Sequence, residues 1–240
     1  MIEVQDIKKS FDGVEVLKGI SATFHKGKTN LIIGQSGSGK TVFLKTLLGL
    51  FVPDSGHIIY DGVRYNDMNK EQRRKLRQEM GMVFQGSALF DSMTVLENVM
   101  FPLKMFSKHT PEEIRERANT VLSRVNLVNA ENKLPSEISG GMQKRVAIAR
   151  AIVNQPNYLF CDEPNSGLDP KTSIVIDNLI QEITEEFNIT TVINTHDMNS
   201  VMEIGAKIVF LKNGYKEWEG SKDTIFRTDN EAVTDFVCSS

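Results

Sequence analysis

One glycine-rich segment has the residue types and spacing needed to hold a polyphosphate. Its residues, which fit the pattern G-x-x-x-x-G-K-[ST], are Gly34, Gln35, Ser36, Gly37, Ser38, Gly39, Lys40 and Thr41. In that pattern the glycines let backbone N–H groups point at phosphate oxygens, and the following helix adds favourable dipole charge. The lysine reaches the β- and γ-phosphates, and the threonine hydroxyl ligates magnesium. The segment predicts a site for ATP and Mg²⁺; the alternative is an ordinary Gly-Ser turn before a helix.

Two neighbouring carboxylates follow an apolar run, Tyr158 to Cys161. Because ligands collect at the carboxyl ends of strands in an open α/β sheet, Asp162 is predicted to hold the magnesium ion, directly or through water. Glu163 is predicted to orient and polarise the attacking water. The alternative is a pair of acidic residues that begins a surface loop.

A serine and two glycines open another helical stretch. Ser139, Gly140 and Gly141 supply a hydroxyl group, exposed N–H groups and a helix dipole, which together predict a second anion site. A simple helix cap is the alternative interpretation of the same residues.

The joint order of these motifs resembles the ATP-binding-cassette (ABC) ATPases, whose signature is close to LSGGQ. The resemblance implies that Gln85 is the Q-loop glutamine, a ligand of magnesium and water that senses the membrane partner. It implies that His196 is the switch histidine that bonds the γ-phosphate, and that Asp169 closes a D-loop, 166–169, touching the opposite subunit. Phe11 stands where the family places the aromatic ring that stacks on adenine. Taken alone, the histidine could end a strand, the glutamine could be a surface residue and the phenylalanine a core aromatic.

The signature departs from its consensus at Ile138, which replaces Leu, and at Met142, which replaces Gln. Gly-Gly-Met, together with segments 84–95 and 97–99, resembles the MlaF-type ATPase subunits of the Mla/Mce lipid transporters. Those bacterial systems move phospholipids between the inner and outer membranes. The resemblance implies phospholipid transport that maintains outer-membrane lipid asymmetry, with Mce-type lipid-binding proteins and small accessory subunits as partners.

Further partners follow from the position of the signature. Ser139 belongs to the predicted helical lobe and cannot easily fold back onto its own phosphate loop. In the family it contacts the nucleotide of a second subunit, so the resemblance implies a head-to-tail homodimer with two composite ATP sites. It also implies integral membrane permease subunits, whose cytoplasmic helix would enter a groove formed by residues 86–103. Four apolar residues would line that groove or, alternatively, form the lobe's own core: Leu89, Phe90, Met93 and Phe101.

The elements that must position these residues alternate between apolar strands and helices. The predicted strands are Met1–Ile7, Val14–Phe24, Thr29–Ile33, His57–Tyr60, Val63–Tyr65, Tyr158–Cys161, Thr190–Asn194, Ile208–Lys212 and Tyr215–Glu219. Helices are predicted from Thr41 to about Gly49, through most of 71–154, and over Pro170–Phe187. The alternation predicts an α/β protein with a mainly parallel sheet covered on both faces.

The resemblance implies the P-loop NTPase fold of ABC ATPases, in one domain with three parts. Residues 1–85 and 156–220 are predicted to form the core and an N-terminal antiparallel β subdomain. Residues from about 86 to 155 are predicted to form an inserted helical subdomain, and residues 221–240 a closing tail.

Composition restricts the class of protein. The 240 residues carry a net charge of −3, which makes a nucleic-acid partner a poor expectation. The first residues do not read as a signal peptide, and no run reaches the roughly 20 apolar residues of a membrane span. The two cysteines, Cys161 and Cys238, have no zinc spacing, so a reducing cytosol is expected. With the resemblance, these features predict a peripheral protein on the cytoplasmic face of the inner membrane.

Three other functions are alternatives to this prediction. The ATPase of another ABC importer or exporter, for amino acids or lipoproteins, would carry the same motifs. A non-transport ABC ATPase acting on DNA or ribosomes would usually show tandem cassettes or long coiled-coil insertions, and neither is visible in the sequence. A P-loop kinase or GTPase would not need Ser139 and its two glycines.

Overall fold

The computed structural model describes residues 1–239. Its strands are β1 (Ile2–Phe11), β2 (Val14–Phe24), β3 (Lys28–Ile33), β4 (Ser55–Tyr60), β5 (Val63–Arg64), β6 (Met80–Val83), β7 (Tyr158–Asp162), β8 (Thr190–Thr195), β9 (Lys207–Lys212) and β10 (Tyr215–Gly220). Its α-helices are α1 (Lys40–Leu47), α2 (Lys70–Gln78), α3 (Val95–Phe106), α4 (Pro111–Arg124), α5 (Gly140–Ile152), α6 (Pro170–Glu186), α7 (Met198–Ile204) and α8 (Glu231–Ser239).

The larger sheet has six strands in the order β10-β9-β3-β8-β7-β6. Its neighbours pair in parallel, except for the antiparallel hairpin of β9 and β10. Strands β7 and β8 are buried along their whole length, because apolar clusters shared with the helices cover both faces. The predicted mainly parallel sheet is confirmed. The residues that follow β3, β6, β7 and β8 therefore meet at one edge of the sheet.

The smaller sheet is antiparallel and has the strand order β2-β1-β4-β5. Its inner face packs with α1 and the larger sheet in one apolar cluster that contains Ile2, Leu17, Phe24 and Phe43. The backbone N–H of Lys18 donates to Gly214 O at 2.9 Å, which joins β2 to the β9–β10 turn. This is the predicted N-terminal antiparallel layer, and it lies next to the glycine-rich loop.

Two elements beside the site were missed by the sequence prediction. Strand β6 (Met80–Val83) interrupts the stretch predicted as mostly helical. It is a four-residue edge strand whose sequence, MGMV, is too short to show a period. Helix α7 follows His196 and was not predicted either; seven residues give little more than one apolar face.

The helices in the middle of the chain share an apolar core with the larger sheet. Helices α3 and α4 begin at capping boxes, formed by Thr94 with Glu97 and by Thr110 with Glu113. Helix α5 returns to the sheet and packs directly on β6: a Cβ added at Gly81 would lie 2.3 Å from Ala151 O. Residues of all three helices share one apolar cluster with β3, β7 and β8.

No helix within residues 1–239 combines the length and the hydropathy that a bilayer span requires.

Candidate nucleotide site

The glycine-rich loop leaves β3 and enters α1. At Gly34 φ is +149°, and a Cβ added there would lie 2.2 Å from the backbone oxygen of Leu211 on β9. At Gly39, the residue before α1, φ is +103°, so both positions require glycine. Ser38 is buried, and its Oγ has no hydrogen-bond partner within residues 1–239. A hydroxyl group without a partner beside a helix N-terminus fits a bound anion.

We expect Gly34→Ala to lower both the melting temperature and the affinity for ATP. The added methyl group must displace the Leu211 carbonyl or the loop, at a cost of about 1–3 kcal/mol. Gly37→Ala is the matched control, because Gly37 also has positive φ (+80°) but has open space where its Cβ would lie. Thermal unfolding and titration with a fluorescent ATP analogue measure both effects. Equal losses in the two variants would contradict the packing argument.

The ammonium group of Lys40 is held inside the loop. Its Nζ donates to Gly34 O at 2.8 Å and to Gln35 O at 3.1 Å. Burial lowers the pKa of Lys40, and the negative charges of Glu163 and Asp162 partly oppose that shift. Phosphate oxygens are charged acceptors and bond an ammonium group more strongly than neutral carbonyls do. When a triphosphate binds, the ammonium group can therefore exchange these two carbonyl acceptors for phosphate oxygens.

Oxygen ligands for a metal ion meet beside the loop. Thr41 Oγ1 lies 3.4 Å from Oδ1 of Asp162, the last residue of β7. Asn194 on β8 donates its Nδ2 to the same carboxylate oxygen at 3.0 Å and so fixes its orientation. Mg²⁺ prefers such oxygen ligands and takes the rest of its shell from water and substrate phosphates. Thr41 and Asp162 therefore fit magnesium that arrives with a nucleotide.

Glu163 lies between the two polar residues that were predicted to act with it. Its Oε2 accepts from Gln85 Nε2 at 3.0 Å, and its Oε1 lies 3.1 Å from His196 Nδ1. Its backbone has φ of +45°, and its N–H donates to Asn194 O at 3.0 Å. A non-glycine residue in this conformation persists only where its surroundings hold it, which is common at functional sites. The fold thus aims one carboxylate at the space beyond the phosphate loop.

These side chains face one open cleft of about 1140 Å³. Its walls come from the glycine-rich loop, from the turn after β7 and from the residues between β8 and α7. The cleft-lining residues predicted from the sequence are Gln35, Ser36, Lys40, Thr41, Gln85, Glu163 and His196. A triphosphate on the loop would place its last phosphate near Glu163 and His196.

The Ser-Gly-Gly segment does not line this cleft. Ser139 is the N-cap of α5, where its Oγ accepts from Met142 N at 3.3 Å, and both it and Gly140 are exposed. A Cβ added at Gly141 would lie 2.8 Å from Thr172 Cγ2 on α6. The signature helix therefore packs beside the D-loop-like turn, with its N-terminus open to solvent.

Two further predicted residues have local contacts. Asp169 is the N-cap of α6; its carboxylate accepts from the backbone of Lys171 and Thr172, both at 3.1 Å. Phe11 is partly exposed, and its ring meets that of Phe51 edge-on with centroids 5.1 Å apart. Whether either residue reaches a nucleotide or a second subunit stays a prediction.

Two residues that support the site were not assigned a role from the sequence. Lys144 on α5 is buried and donates its Nζ to Gln85 O, so the signature helix holds the backbone of the Q-loop residue. Burial lowers the pKa of this lysine. Asn194 orients Asp162, as described above. A buried lysine in a helix and an asparagine in an apolar strand were the available signals, since such groups are rarely buried without partners.

Known proteins similar to this chain were compared by sequence. The profile of the family described as ABC transporter matches residues 17–166. The probable ribonucleotide transport ATP-binding protein mkl of Mycobacterium tuberculosis is 36% identical over 236 residues, 98% of this chain and 66% of that protein. The methionine import ATP-binding protein MetN of Bacillus subtilis is 37% identical over 238 residues, 98% of this chain and 70% of that protein. The chain thus spans about two thirds of the length of these relatives.

Solved structures with the same fold were also found. The dimeric structure of MJ0796, a bacterial ABC transporter cassette, has a TM-score of 0.83 and 35% identity, with 92% of this chain and 99% of that chain covered. The same cassette in a post-hydrolysis state, bound to ADP and Pi, has a TM-score of 0.82. The cbiO1 protein of Clostridium perfringens, part of the ABC transporter complex cbiONQ, has a TM-score of 0.87 and 31% identity, with 95% and 91% covered.

Proposed function

The chain belongs to the ABC transporter family and carries its ATPase cassette, and from this premise we propose that it binds and hydrolyses ATP to drive a membrane transporter. One observation carries the proposal. Glu163 is held between Gln85 and His196, at 3.0 and 3.1 Å, in a cleft that the glycine-rich loop also lines. A positioned carboxylate beyond the γ-phosphate is the arrangement that hydrolysis of ATP requires.

In the proposed reaction each residue has a separate task. The loop amides and Lys40 bind the triphosphate and balance its negative charge. Glu163 orients a water molecule for attack and takes its proton, while His196 holds Glu163 and bonds the γ-phosphate. Phe11, whose ring is partly exposed, stacks on adenine. 

The proposed metal ion is magnesium, and it would be held by Thr41, Asp162 and Gln85. When bound it supplies charge neutralisation at the β- and γ-phosphates. Gln85 presents its side-chain nitrogen to Glu163, so its amide oxygen is the ligating atom. The Thr41–Asp162 contact supports this set because both groups are hard oxygen ligands at one edge of the sheet.

We further propose that two copies form a head-to-tail dimer. Ser139, Gly140 and Gly141 carry exposed donors but lie outside the cleft of their own chain. A nucleotide held by one copy would be closed in by the signature helix of the other, with Asp169 near the junction. The relative MJ0796 is described as a dimeric cassette, which supports this assembly. ATP would then favour the closed dimer, and hydrolysis would release it.

The membrane partner is proposed to dock in a groove between the core (1–85 and 156–220) and the helical subdomain (86–155). This groove, of about 290 Å³, is bounded by the α2–β6 segment on one side and by α3 and α5 on the other. Four aromatic rings line it: Phe84, Phe90, Phe101 and Phe106. Arg150 donates to the backbone oxygens of Ala88 and Ser87, at 2.7 and 2.8 Å, and so holds the loop before α3. Apolar aromatic grooves of this kind bind helices of partner proteins.

We expect Phe106→Asp to release the membrane partner while the isolated chain still binds ATP. Phe106 is 55% exposed, lines the groove and lies far along the chain from the phosphate loop. Replacing an aromatic anchor costs about 2 kcal/mol or more, which is about thirtyfold in Kd. Phe187→Asp is the matched control, because Phe187 is 45% exposed and does not line this groove. Co-purification of the tagged chain with membrane proteins measures the effect; equal recovery of both variants would rule out this groove.

The transported substrate is proposed to be a phospholipid, carried between bacterial membranes with Mce-type and small accessory subunits on the cytoplasmic face of the inner membrane. Support comes from the Gly-Gly-Met signature and from segments 84–95 and 97–99. Import of a small polar solute is the second candidate. It is favoured by the names of the relatives, which give ribonucleotide transport for mkl and methionine import for MetN.

One experiment separates the two candidates. The complex is purified through a tag on this chain, its permease is identified, and its ATP hydrolysis is measured in vesicles. Phospholipid transport predicts a Mce-associated permease, lipid exchange between labelled vesicles and no response to methionine or ribonucleotides. A solute permease and stimulation by either solute would overturn the phospholipid proposal and leave the ATPase proposal intact.

A further inference from the structure

A buried carboxyl group lies behind the cleft, where neither the nucleotide nor the metal ion is expected to reach. Asp177 on α6 is 1% exposed. Asn165, in the turn after Glu163, donates its Nδ2 to Asp177 Oδ1 at 2.7 Å and to Ser200 Oγ at 3.2 Å. Ser200, in the first turn of α7, also hydrogen-bonds Asp177. The Asp177 side chain thus contacts both the turn after Glu163 and the first turn of α7.

The two loops carry the pair on which hydrolysis is proposed to depend. Asn165 is two residues beyond Glu163, and its turn is closed by Ser166 N donating to Glu163 O at 3.1 Å. Ser200 is four residues beyond His196, in helix α7, whose N-cap is Asp197. The Glu163–His196 contact of 3.1 Å exists only if these loops keep their relative position. Asn194 joins the strand ends before these segments, through Asp162 Oδ1 and the backbone N–H of Glu163. Beyond the strands, Asp177 joins the Glu163 turn to the first turn of α7.

Burying a carboxyl group costs folding free energy, so a buried aspartate indicates a role beyond filling space. Desolvation raises the pKa of Asp177 to about 6, and the hydrogen bonds from Ser200 and Asn165 oppose that shift. The charged groups that face it come from α7, where Asp197 and Glu203 raise the pKa further. The buried thiol of Cys161 on β7 also lies near. An apolar side chain would fill this space at lower cost but could not bond both loops.

We propose that Asp177 is a positioning residue for ATP hydrolysis, which joins the Glu163 turn to the first turn of α7 and so sets the geometry of the Glu163–His196 pair. It touches no substrate and acts through Asn165 and Ser200. The inference rests on the proposed hydrolytic function and adds to it a residue outside the cleft. Its effect is on the chemical step, because its hydrogen bonds run to Asn165 and Ser200, which lie close along the chain to Glu163 and His196.

The test compares Asp177→Leu with Asp177→Asn in the complete transporter complex. Asp177→Leu removes both hydrogen bonds. It is expected to lower kcat for ATP about ten- to a hundredfold, as small displacements of a catalytic group do, with little change in KM. Asp177→Asn keeps a carbonyl acceptor and a similar shape, so it is expected to recover most of the lost kcat. A structural role alone would lower the melting temperature without this separation of kcat from KM.

Two controls make the result specific. Ile180→Ala changes a fully buried residue one turn further along α6 and should lower the melting temperature but keep kcat. Asn165→Ala with Ser200→Ala should reproduce the kcat loss of Asp177→Leu, and adding Asp177→Leu should cause no further loss. These polar-to-alanine variants also test the proposal if Asp177→Leu does not fold.

The proposal is overturned if Asp177→Leu behaves like Ile180→Ala, or if the losses at the three positions simply add. Failure of this inference is distinguishable from failure of the proposed function. If Glu163→Gln abolishes hydrolysis while Asp177→Leu retains wild-type kcat, the ATPase proposal stands and only the positioning role is lost.

Discussion

Glu163→Gln is expected to reduce ATP hydrolysis by about 100- to 10,000-fold, the usual contribution of a general base. The substitution keeps the size of the side chain, and its amide oxygen can still accept from Gln85 Nε2, as Glu163 does at 3.0 Å. It removes the negative charge and with it the capacity to accept a proton from water. Binding of ATP should persist, because the loop amides and Lys40 are untouched. The variant should therefore accumulate as a nucleotide-bound dimer.

Phosphate release and size-exclusion chromatography with light scattering measure the two halves of this prediction. Glu217→Gln is the matched control, since Glu217 is exposed on β10 and is absent from the cleft lining. It should hydrolyse ATP at the wild-type rate and show no lasting dimer. Normal turnover by Glu163→Gln would exclude this residue as the base, and loss of ATP binding would mean that the substitution damaged the loop.

The sequence predicts which polar residues face this cleft better than it predicts the elements that hold them in place. Residues 34–41 form one continuous stretch, and Asp162 and Glu163 are adjacent. Each motif therefore contains most of the groups that its predicted role requires. The parallel sheet followed from apolar runs such as Tyr158 to Cys161 because strands buried on both faces read as continuous apolar segments. Local motifs and strong patterns were therefore sufficient to predict residues that line one cleft, such as Lys40, Thr41 and Glu163.

The supporting contacts were not predictable in the same way. β6 has four residues, too few to show a period, yet it leads into Gln85. Lys144 bonds Gln85 O across 59 positions of chain, and Asn165 meets Ser200 across 35. Such contacts depend on how α5, α6 and α7 pack on the sheet, and packing overrides local sequence preference. In the sequence, such contacts are indicated only by a polar residue within an apolar segment.

Ser139→Arg is expected to abolish hydrolysis although Ser139 lies outside the cleft of its own chain. In a head-to-tail dimer the arginine would enter the nucleotide site of the other copy and prevent closure. Loss of donors at the γ-phosphate costs about 100- to 1,000-fold in rate. Ser136→Arg is the matched control: it adds the same group to an exposed serine in the turn before α5. Only the signature variant should lose phosphate release, while both bind ATP on their intact loops.

The decisive test is complementation between two inactive variants. Ser139→Ala retains an intact phosphate loop, and Lys40→Ala retains an intact signature. If each site takes its loop from one copy and its signature from the other, mixed dimers contain one complete site. Random mixing in equal amounts would restore about a quarter of all sites. No recovery in dimers of confirmed mixed composition would contradict the composite site, because a site contained within one chain stays defective in both copies. Recovery would mean that ATP can act as the contact between the copies, so that each cleavage removes the bond holding the dimer closed.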